Sequence, residues 1–319
     1  MIILRLLLLF FTLSSFVSGS DLLSIGFWNI ENLFDIENDP SKRDDEFAIG
    51  GKKNVTIDIY ELKIKRSAEV LADLNVDILG LCEVENVSVL SDLNSNYKGR
   101  DYKIIHFDSP DERGIDNALF YDQNKFSILV SKPIENKLGG NDKTRDILYV
   151  KGTFLDVTLH IFVNHWPSNY GGKERAIPKR KATAKLLMNQ IKTIQKNDKL
   201  AEIILIGDFN EDPSDDNVKM LEKLGFINQM SSMMCEKGKG TYVYRGKDYF
   251  YDQIIISEGL NTNQGLHVVK ESISILDKPK YRQQDGKYKH YPFRFWAGNN
   301  LLGGYSDHLA TKIVLRKMK

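Results

Sequence analysis

Apolar runs of five to eight residues recur along this chain, each bounded by Gly, Asn, Asp or Pro. They are rich in β-branched and aromatic residues and predict strands over residues 22–28, 77–82, 102–106, 117–121 and 126–130. The same pattern predicts further strands over 147–154, 157–164, 203–207, 251–257 and 309–315. Three segments follow the helical period instead. Residues 60–75 place Ile64, Ala68, Leu71 and Leu74 on one face. Residues 173–192 begin polar and continue through Ala184, Leu187, Met188 and Ile191. Residues 215–224 follow a Pro213-Ser214 start signal, with Asp215 and Asp216 suited to a helix N-terminus. Many strands with a few long helices between them predict an α/β chain of two packed sheets with helices outside. No low-complexity linker or solenoid repeat divides the chain, so residues 21–319 are expected to form one domain. The polar stretches 37–54 and 278–305 read as long loops, which in compact domains tend to carry function.

Residues 1–20 read as a secretory signal rather than part of the fold. Arg5 supplies the charge, residues 6–13 the apolar stretch, and Ser18-Gly19-Ser20 the small residues for cleavage. The apolar stretch is too short for a full membrane span, and an uncleaved anchor is the alternative. The expected location is extracellular or periplasmic. The chain carries 44 basic and 43 acidic residues, and removing Arg5 with the leader balances them. Global charge therefore gives no argument for nucleic-acid or membrane binding. Only Cys82 and Cys235 occur; Cys82 lies in an apolar run and reads as core, so disulfides are not expected to hold this fold.

Candidate chemistry gathers where the strands end. Asp307-His308 follows a Gly303-Gly304 turn and precedes the last strand, where a bend lets adjacent side chains converge. An acid that holds a metal beside a His that moves a proton is a hydrolytic arrangement. Five other strand ends carry polar residues. Asn29 follows the first strand and offers a carbonyl oxygen to a metal or an amide to a phosphate. Glu83 ends an apolar strand, where a carboxylate is costly unless paired or coordinated, and Mg²⁺ would supply that partner. His165 leaves its strand at a Pro167-stiffened corner, within Asn164-His165-Trp166-Pro167-Ser168. Asp208 and Asn210, two apart on an extended segment, can face one phosphate together. Asp252 opens an apolar strand and needs a partner; an imidazole N–H is the natural one.

The ordered set resembles the endonuclease/exonuclease/phosphatase superfamily, the DNase-like metal-dependent phosphohydrolases. The resemblance runs from Asn29 to His308. Secreted bacterial members look similar also in residues 108–116 and in the Gly303-Gly304-Tyr305 lead-in. It implies a four-layer α/β/β/α sandwich of two mostly antiparallel mixed sheets, with the site at one edge. It implies Glu83, Asn29 and Asp307 on the metal side, with Mg²⁺ as the ion and Mn²⁺ or Ca²⁺ as alternatives. Asp208 and Asn210 would organise the attacking water and the phosphate. His308 would be the catalytic imidazole oriented by Asp252, and His165 a donor to the phosphate. Either Asp208 or His308 could be the base.

These residues do not choose the substrate; the loops must. Residues 173–185 carry Lys173, Arg175, Lys179, Arg180, Lys181 and Lys185. Residues 278–294 interleave six basic residues with Tyr281, Tyr288, Tyr291 and Phe293. Aromatics beside cations are what a nucleic-acid surface uses, against the plainer alternatives of a solvated helix face and an ordinary loop. Arg113, Asn164 and Ser168 are the candidate substrate contacts, with an ion pair from Arg113 to Asp111 or Asp116 as the alternative. The expected protein is a secreted monomeric endonuclease acting on DNA or RNA. The alternatives are a phosphodiesterase or phosphatase acting on lipid headgroups, inositol phosphates or nucleotides, and a binding protein that has lost catalysis.

Overall fold

Central strands apolar on every residue need two covered faces. In the computed structural model, which describes residues 21–140, 142–236 and 238–318, they have them. The expected leader, residues 1–20, lies outside the described residues. Strand β1 (Leu22–Leu33) turns Leu23, Ile25 and Phe27 to the middle of the molecule and Trp28 and Ile30 to the helices. Strand β2 (Ile78–Val84) does the same with Ile78 and Cys82 against Leu79 and Leu81.

The remaining strands in chain order are β3 (Lys103–His106), β4 (Asp116–Tyr121), β5 (Phe126–Ile134), β6 (Ile147–Phe154), β7 (Val157–His165) and β8 (Glu202–Asp208). Then come β9 (Phe226–Asn228), β10 (Tyr242–Tyr244), β11 (Lys247–Tyr249), β12 (Asp252–Ser257), β13 (Leu266–Val268) and β14 (Ser274–Ile275). The last are β15 (Trp296–Ala297), β16 (Asn300–Leu301) and β17 (Thr311–Lys317). One sheet runs β13-β17-β1-β2-β4-β3, with β14 also on β17. The other runs β5-β6-β7-β8-β12-β9. Each is antiparallel except at one central pair, β1 with β2 and β7 with β8.

Parallel pairs need crossover helices. Helix α1 (Ile57–Leu74) joins β1 to β2, and α3 (Lys173–Asn197) joins β7 to β8. With α2 (Val87–Asn96) beside α1 and the short α4 (Asp216–Lys219) beside α3, they make the outer layers of an α/β/β/α sandwich. Between the sheets the approach is close: a Cβ on Gly80 would sit 2.6 Å from Ile206 Cδ1.

Differences from expectation are local. Helix α2 was not anticipated, because only Val89, Leu90 and Leu93 are buried in a polar segment. The helix expected over 215–224 breaks after Lys219 into a 3₁₀ turn that ends at Gly225 (φ 77°). Cys82 is buried, Cys235 exposed, and both are free thiols. Among the described residues no helix is long and apolar enough to cross a membrane.

Candidate active site

Four strands of the two parallel pairs end on one edge of the sandwich and deliver Asn29, Glu83, His165 and Asp208 there. Two antiparallel neighbours begin at the same edge. Asp252, first in β12, pairs in register with Asp208. His308 lies just before β17, whose Thr311 pairs with Phe27 of β1.

On the β7–β8 side the groups bond to one another. His308 Nδ1–H donates to Asp252 Oδ2 at 2.7 Å, and both residues are buried. His308 Nε2 then lies 3.9 Å from Asp208 Oδ2. Burial opposes a charged imidazole, but Asp252, Asp208 and Asp307 outweigh it and hold His308 well above the ordinary histidine pKa. The carboxyl of Asp208 is pushed up to about 7, chiefly by burial and against the pull of His308. It accepts from Asn29 Nδ2 at 3.1 Å and from the Asn210 backbone N–H at 2.9 Å. His165 Nε2 sits 3.7 Å from Asp208 Oδ2 and 3.9 Å from Glu83 Oε1. Burial first, then Arg145 and Arg113, keep His165 well below its usual pKa, so it is a neutral imidazole. Its Nε2 faces two carboxylate oxygens, which favour the tautomer that carries the proton there.

Fastenings hold these side chains still. Ser306 Oγ donates to Asn29 O at 2.7 Å and accepts the His308 N–H at 3.0 Å, so the loop carrying His308 is pinned to β1. The Tyr242 ring stacks on His308 with centroids 4.7 Å apart. Arg145 Nη2 donates to the carbonyls of His165 (3.2 Å) and Trp166 (2.7 Å). Arg180 donates to Pro167 O at 3.0 Å and to Glu211 at 2.9 Å. The corner at His165 is therefore fixed by two buried arginines as well as by its proline.

On the β1–β2 side the backbone is irregular. The β1–β2 register shifts between Asn29 and Leu33, and the β2–β4 register shifts between Cys82 and Val84. Glu31, Asn32 and Glu83 have φ of 56°, 54° and 61°. Positive φ is uncommon outside glycine and clusters at functional sites. These bulges re-aim carboxylates that strict alternation would send to the wrong face. Glu83 Oε2 accepts from the Asn32 N–H at 3.0 Å, and its other oxygen faces His165. Glu31 is buried and accepts from Arg294 Nε at 3.2 Å and from the Phe295 N–H at 2.7 Å. Burial, and then Asp307, push its carboxyl up to about 7. Arg294 Nη2 also donates to Asp307 Oδ2 at 3.0 Å, so one guanidinium bridges two carboxylates.

Eight of the expected residues, Asn29, Glu83, His165, Asp208, Asn210, Asp252, Asp307 and His308, gather at this edge. Asn29 enters in a particular way: its side-chain Oδ1 accepts the Glu31 N–H at 3.0 Å, and its Nδ2 is spent on Asp208. Asn164 corrects an expectation. It is fully buried, donates to Phe162 O and Ile206 O, and accepts from the Trp166 indole, so it fastens β7 to β8 and cannot reach a substrate. Ser168 lies on the loop beyond His165, where its Oγ accepts the Tyr170 N–H at 3.4 Å. Arg113 makes the ion pair that was its alternative, holding Asp111 with Nε at 3.2 Å, and is still 41% exposed.

The basic segments also shrink as surfaces. Arg180 is fully buried, and Lys278 and Lys280 both pair with Asp73. Arg282 pairs with Asp277, and Tyr281 and Phe293 pack against the α1 core. Glu31 and Arg294 also lie at this edge, joined to each other and to Asp307, and are not among the residues expected from the sequence. A carboxylate two residues beyond Asn29 is the sequence signal for Glu31, but its direction is set by the bulge, which spacing does not reveal.

The donor set fits a hard divalent cation. Glu31, Glu83, Asp208, Asp252 and Asp307 crowd one edge, and burial, with Asp307 beside Glu31 and Asp252 beside Asp208, raises two of their carboxyls. Ligand atoms of Asp208, Asp252 and His308 fall within 4.8 Å of one another. Within that trio His308 and Asp252 are already joined by a hydrogen bond, an arrangement able to hand on a proton. Glu83 and Asp307 are the carboxylates left on the other side, and a hard divalent cation would need only one or two of them beside its waters.

The family model described as endonuclease/exonuclease/phosphatase family matches residues 24–317, and the chain belongs to that family. Its members are phosphoric ester hydrolases that depend on divalent metal. No curated protein matches the sequence. Among solved structures, truncated Caenorhabditis elegans TDP2 is 18% identical with a TM-score of 0.60, covering 92% of this chain and 97% of its own. D. rerio TDP2 complexed with single strand DNA product is 15% identical with a TM-score of 0.59, over 93% of this chain and 99% of its own. An endonuclease/exonuclease/phosphatase family protein from Bacteroides thetaiotaomicron is 18% identical with a TM-score of 0.58, over 92% and 97%. Likeness at these identities shows the shared fold.

Proposed function

We propose that this member of the endonuclease/exonuclease/phosphatase family is a secreted, Mg²⁺-dependent endonuclease that hydrolyses phosphodiester bonds of DNA or RNA. Residues 21–319 would act as one monomeric catalytic domain after loss of residues 1–20. The observation that carries the reading is the His308–Asp252 bond of 2.7 Å beside Asp208, with Glu83 and Asp307 across the same edge.

The residues divide the work by protonation state. Asp208, pushed up to about 7, is poised to take a proton from an attacking water near neutral pH. His308, held well above the usual histidine range, is an imidazolium that stabilises charge gathering on the phosphoryl oxygens. Neutral His165 offers its Nε2–H to the phosphate or the leaving oxygen, and Asn210 and Asn29 hold Asp208 in place. A divalent cation held by Glu83 and Asp307 would neutralise charge on the phosphate when bound.

For nucleic acid as the substrate, the support is narrower than the sequence promised. Lys173, Arg175, Lys181 and Lys185 remain exposed along α3, and Tyr288, Lys287 and Lys289 remain exposed on the 278–294 loop. The fold neighbour from D. rerio was solved with single strand DNA product. The test is hydrolysis of plasmid DNA, RNA, sphingomyelin, inositol phosphates and a chromogenic phosphodiester, with and without chelator. Cleavage of plasmid or RNA that weakens steeply with salt supports the reading. Turnover confined to small or lipid phosphoesters, with a Michaelis constant flat in salt, replaces it with the phosphatase alternative.

A further inference from the structure

Beside the catalytic edge, where Asp116 pairs with Val84 next to Glu83, the loop between β3 and β4 is closed at its base by three side chains. His106 ends β3, Asp108 stands two residues on, and Asp116 opens β4. His106 Nε2 lies 3.2 Å from Asp116 Oδ2, and Nδ1 lies 3.9 Å from Asp108 Oδ1. One ligand atom from each of the three falls within 4.8 Å of the others. The His106 side chain is only 6% exposed, yet its Nε2 makes no hydrogen bond despite the nearby carboxylate. A buried nitrogen that faces a carboxylate at 3.2 Å without hydrogen-bond geometry needs an explanation. Asp116 Oδ1 is already used by the Ser109 N–H at 2.8 Å, which leaves Oδ2 aimed at the imidazole. Among the described residues the only ion pairs of Asp108 and Asp116 are with His106. Lys42, which reaches this loop from residues 37–54, spends its ammonium on the carbonyls of Ser109 and Asp111.

We propose that His106, Asp108 and Asp116 bind a second divalent cation of the Zn²⁺ class, separate from the catalytic metal. One imidazole and two carboxylates are a borderline donor set, which suits Zn²⁺ better than Mg²⁺. Ligands about 2.1 Å from a Zn²⁺ ion stand about 3.0–3.4 Å apart for right-angle to tetrahedral geometry. The observed 3.2 Å between Nε2 and Oδ2 falls inside that interval without any movement. Asp108 is 84% exposed and swings in as the outer ligand, with water completing the shell. The ion would tie the two ends of the 107–115 loop together. That loop carries Asp111, which holds both Arg113 and Arg145, and Arg145 in turn holds the His165 carbonyl. The site is structural: it sets the stiffness of the loop that presents Arg113.

The test is Zn²⁺ binding by calorimetry and metal analysis on the full-length protein, with Mg²⁺ in excess throughout. Wild type should bind Zn²⁺, and His106→Ala should lose about one equivalent per chain. Asp108→Asn cannot disturb the fold, because its side chain is exposed; it should weaken Zn²⁺ at least about tenfold. Zn²⁺ should also slow tryptic cleavage after Arg113 in wild type and not in Asp108→Asn. Wild-type stoichiometry and affinity in either variant overturn the proposal. So does a wild-type protein whose Zn²⁺ uptake disappears entirely in Glu83→Gln, since that ion sits at the catalytic edge.

Discussion

The site is built from two copies of one device that have been put to different uses. β1–α1–β2 and β7–α3–β8 are each a parallel pair with a crossover helix, lying back to back, and each is followed by an antiparallel strand that opens on aspartate. Those aspartates are Asp116 in β4 and Asp252 in β12, and each meets an imidazole, His106 or His308. The β7–β8 unit runs in register to its end, pairing His165 with Asp208, and its acid and base are joined by the His308–Asp252 hydrogen bond. The β1–β2 unit breaks register twice and turns Glu31, Asn32 and Glu83 into the left-handed region. Proton-moving groups can be assembled on regular strands because acid and base attract. Carboxylates meant to converge repel, so their backbone must be bent to hold them together until a cation arrives.

That contrast can be broken by substitution. Glu83→Gln and His308→Ala should each lower kcat by roughly three decades. Their effects on stability without metal should differ. Glu83→Gln removes a carboxylate from a crowd of them and should leave the melting temperature unchanged or raised. His308→Ala strands the fully buried Asp252 and should lower it. Equal losses of stability would erase the distinction between the units.

Arg180→Ala probes the fastening of the regular unit. It leaves Glu211 buried without its cation and frees the corner at Pro167, and should cost about 3–5 kcal/mol in denaturant unfolding. A loss under about 1 kcal/mol would mean that Arg145 and Pro167 hold the corner without Arg180.

The smallest effect concerns pH. His160 of β7, bonded to the Tyr149 hydroxyl at 2.8 Å, is held at about 4, mainly by burial and then by Lys151. Its folded pKa lies below the ordinary histidine value, so the native state binds fewer protons between them. Its contribution is therefore complete above pH about 6.5 and is lost as pH falls through about 4, by roughly 3 kcal/mol at most. Parallel stability profiles for wild type and His160→Gln over that window would assign the loss elsewhere.

The sequence made the layers legible because continuous apolar runs can only be strands covered on both faces, and all ten expected strands lie on observed ones. It hid what depends on irregular backbone. β1 continues to Leu33 through Asn29–Asn32, which reads as a turn because bulge residues and turn residues are the same types. Helix α2 announces itself only by its Asn86 cap, which accepts the N–H groups of Ser88 and Val89. Arg294, in a run that reads as a basic surface, turns inward to Glu31 and Asp307 because two buried carboxylates outbid solvent for it. Asn164 looked functional for the opposite reason: a polar residue beside His165 is indistinguishable in sequence from one that fastens two strands.

The most direct test of a metal side and a proton side is Mg²⁺ binding by calorimetry to wild type, Glu83→Gln and His308→Ala. Glu83→Gln should lose Mg²⁺ affinity by at least about tenfold, while His308→Ala binds Mg²⁺ as wild type and fails to turn over. Unchanged Mg²⁺ affinity in Glu83→Gln, or its loss in His308→Ala, would contradict the division.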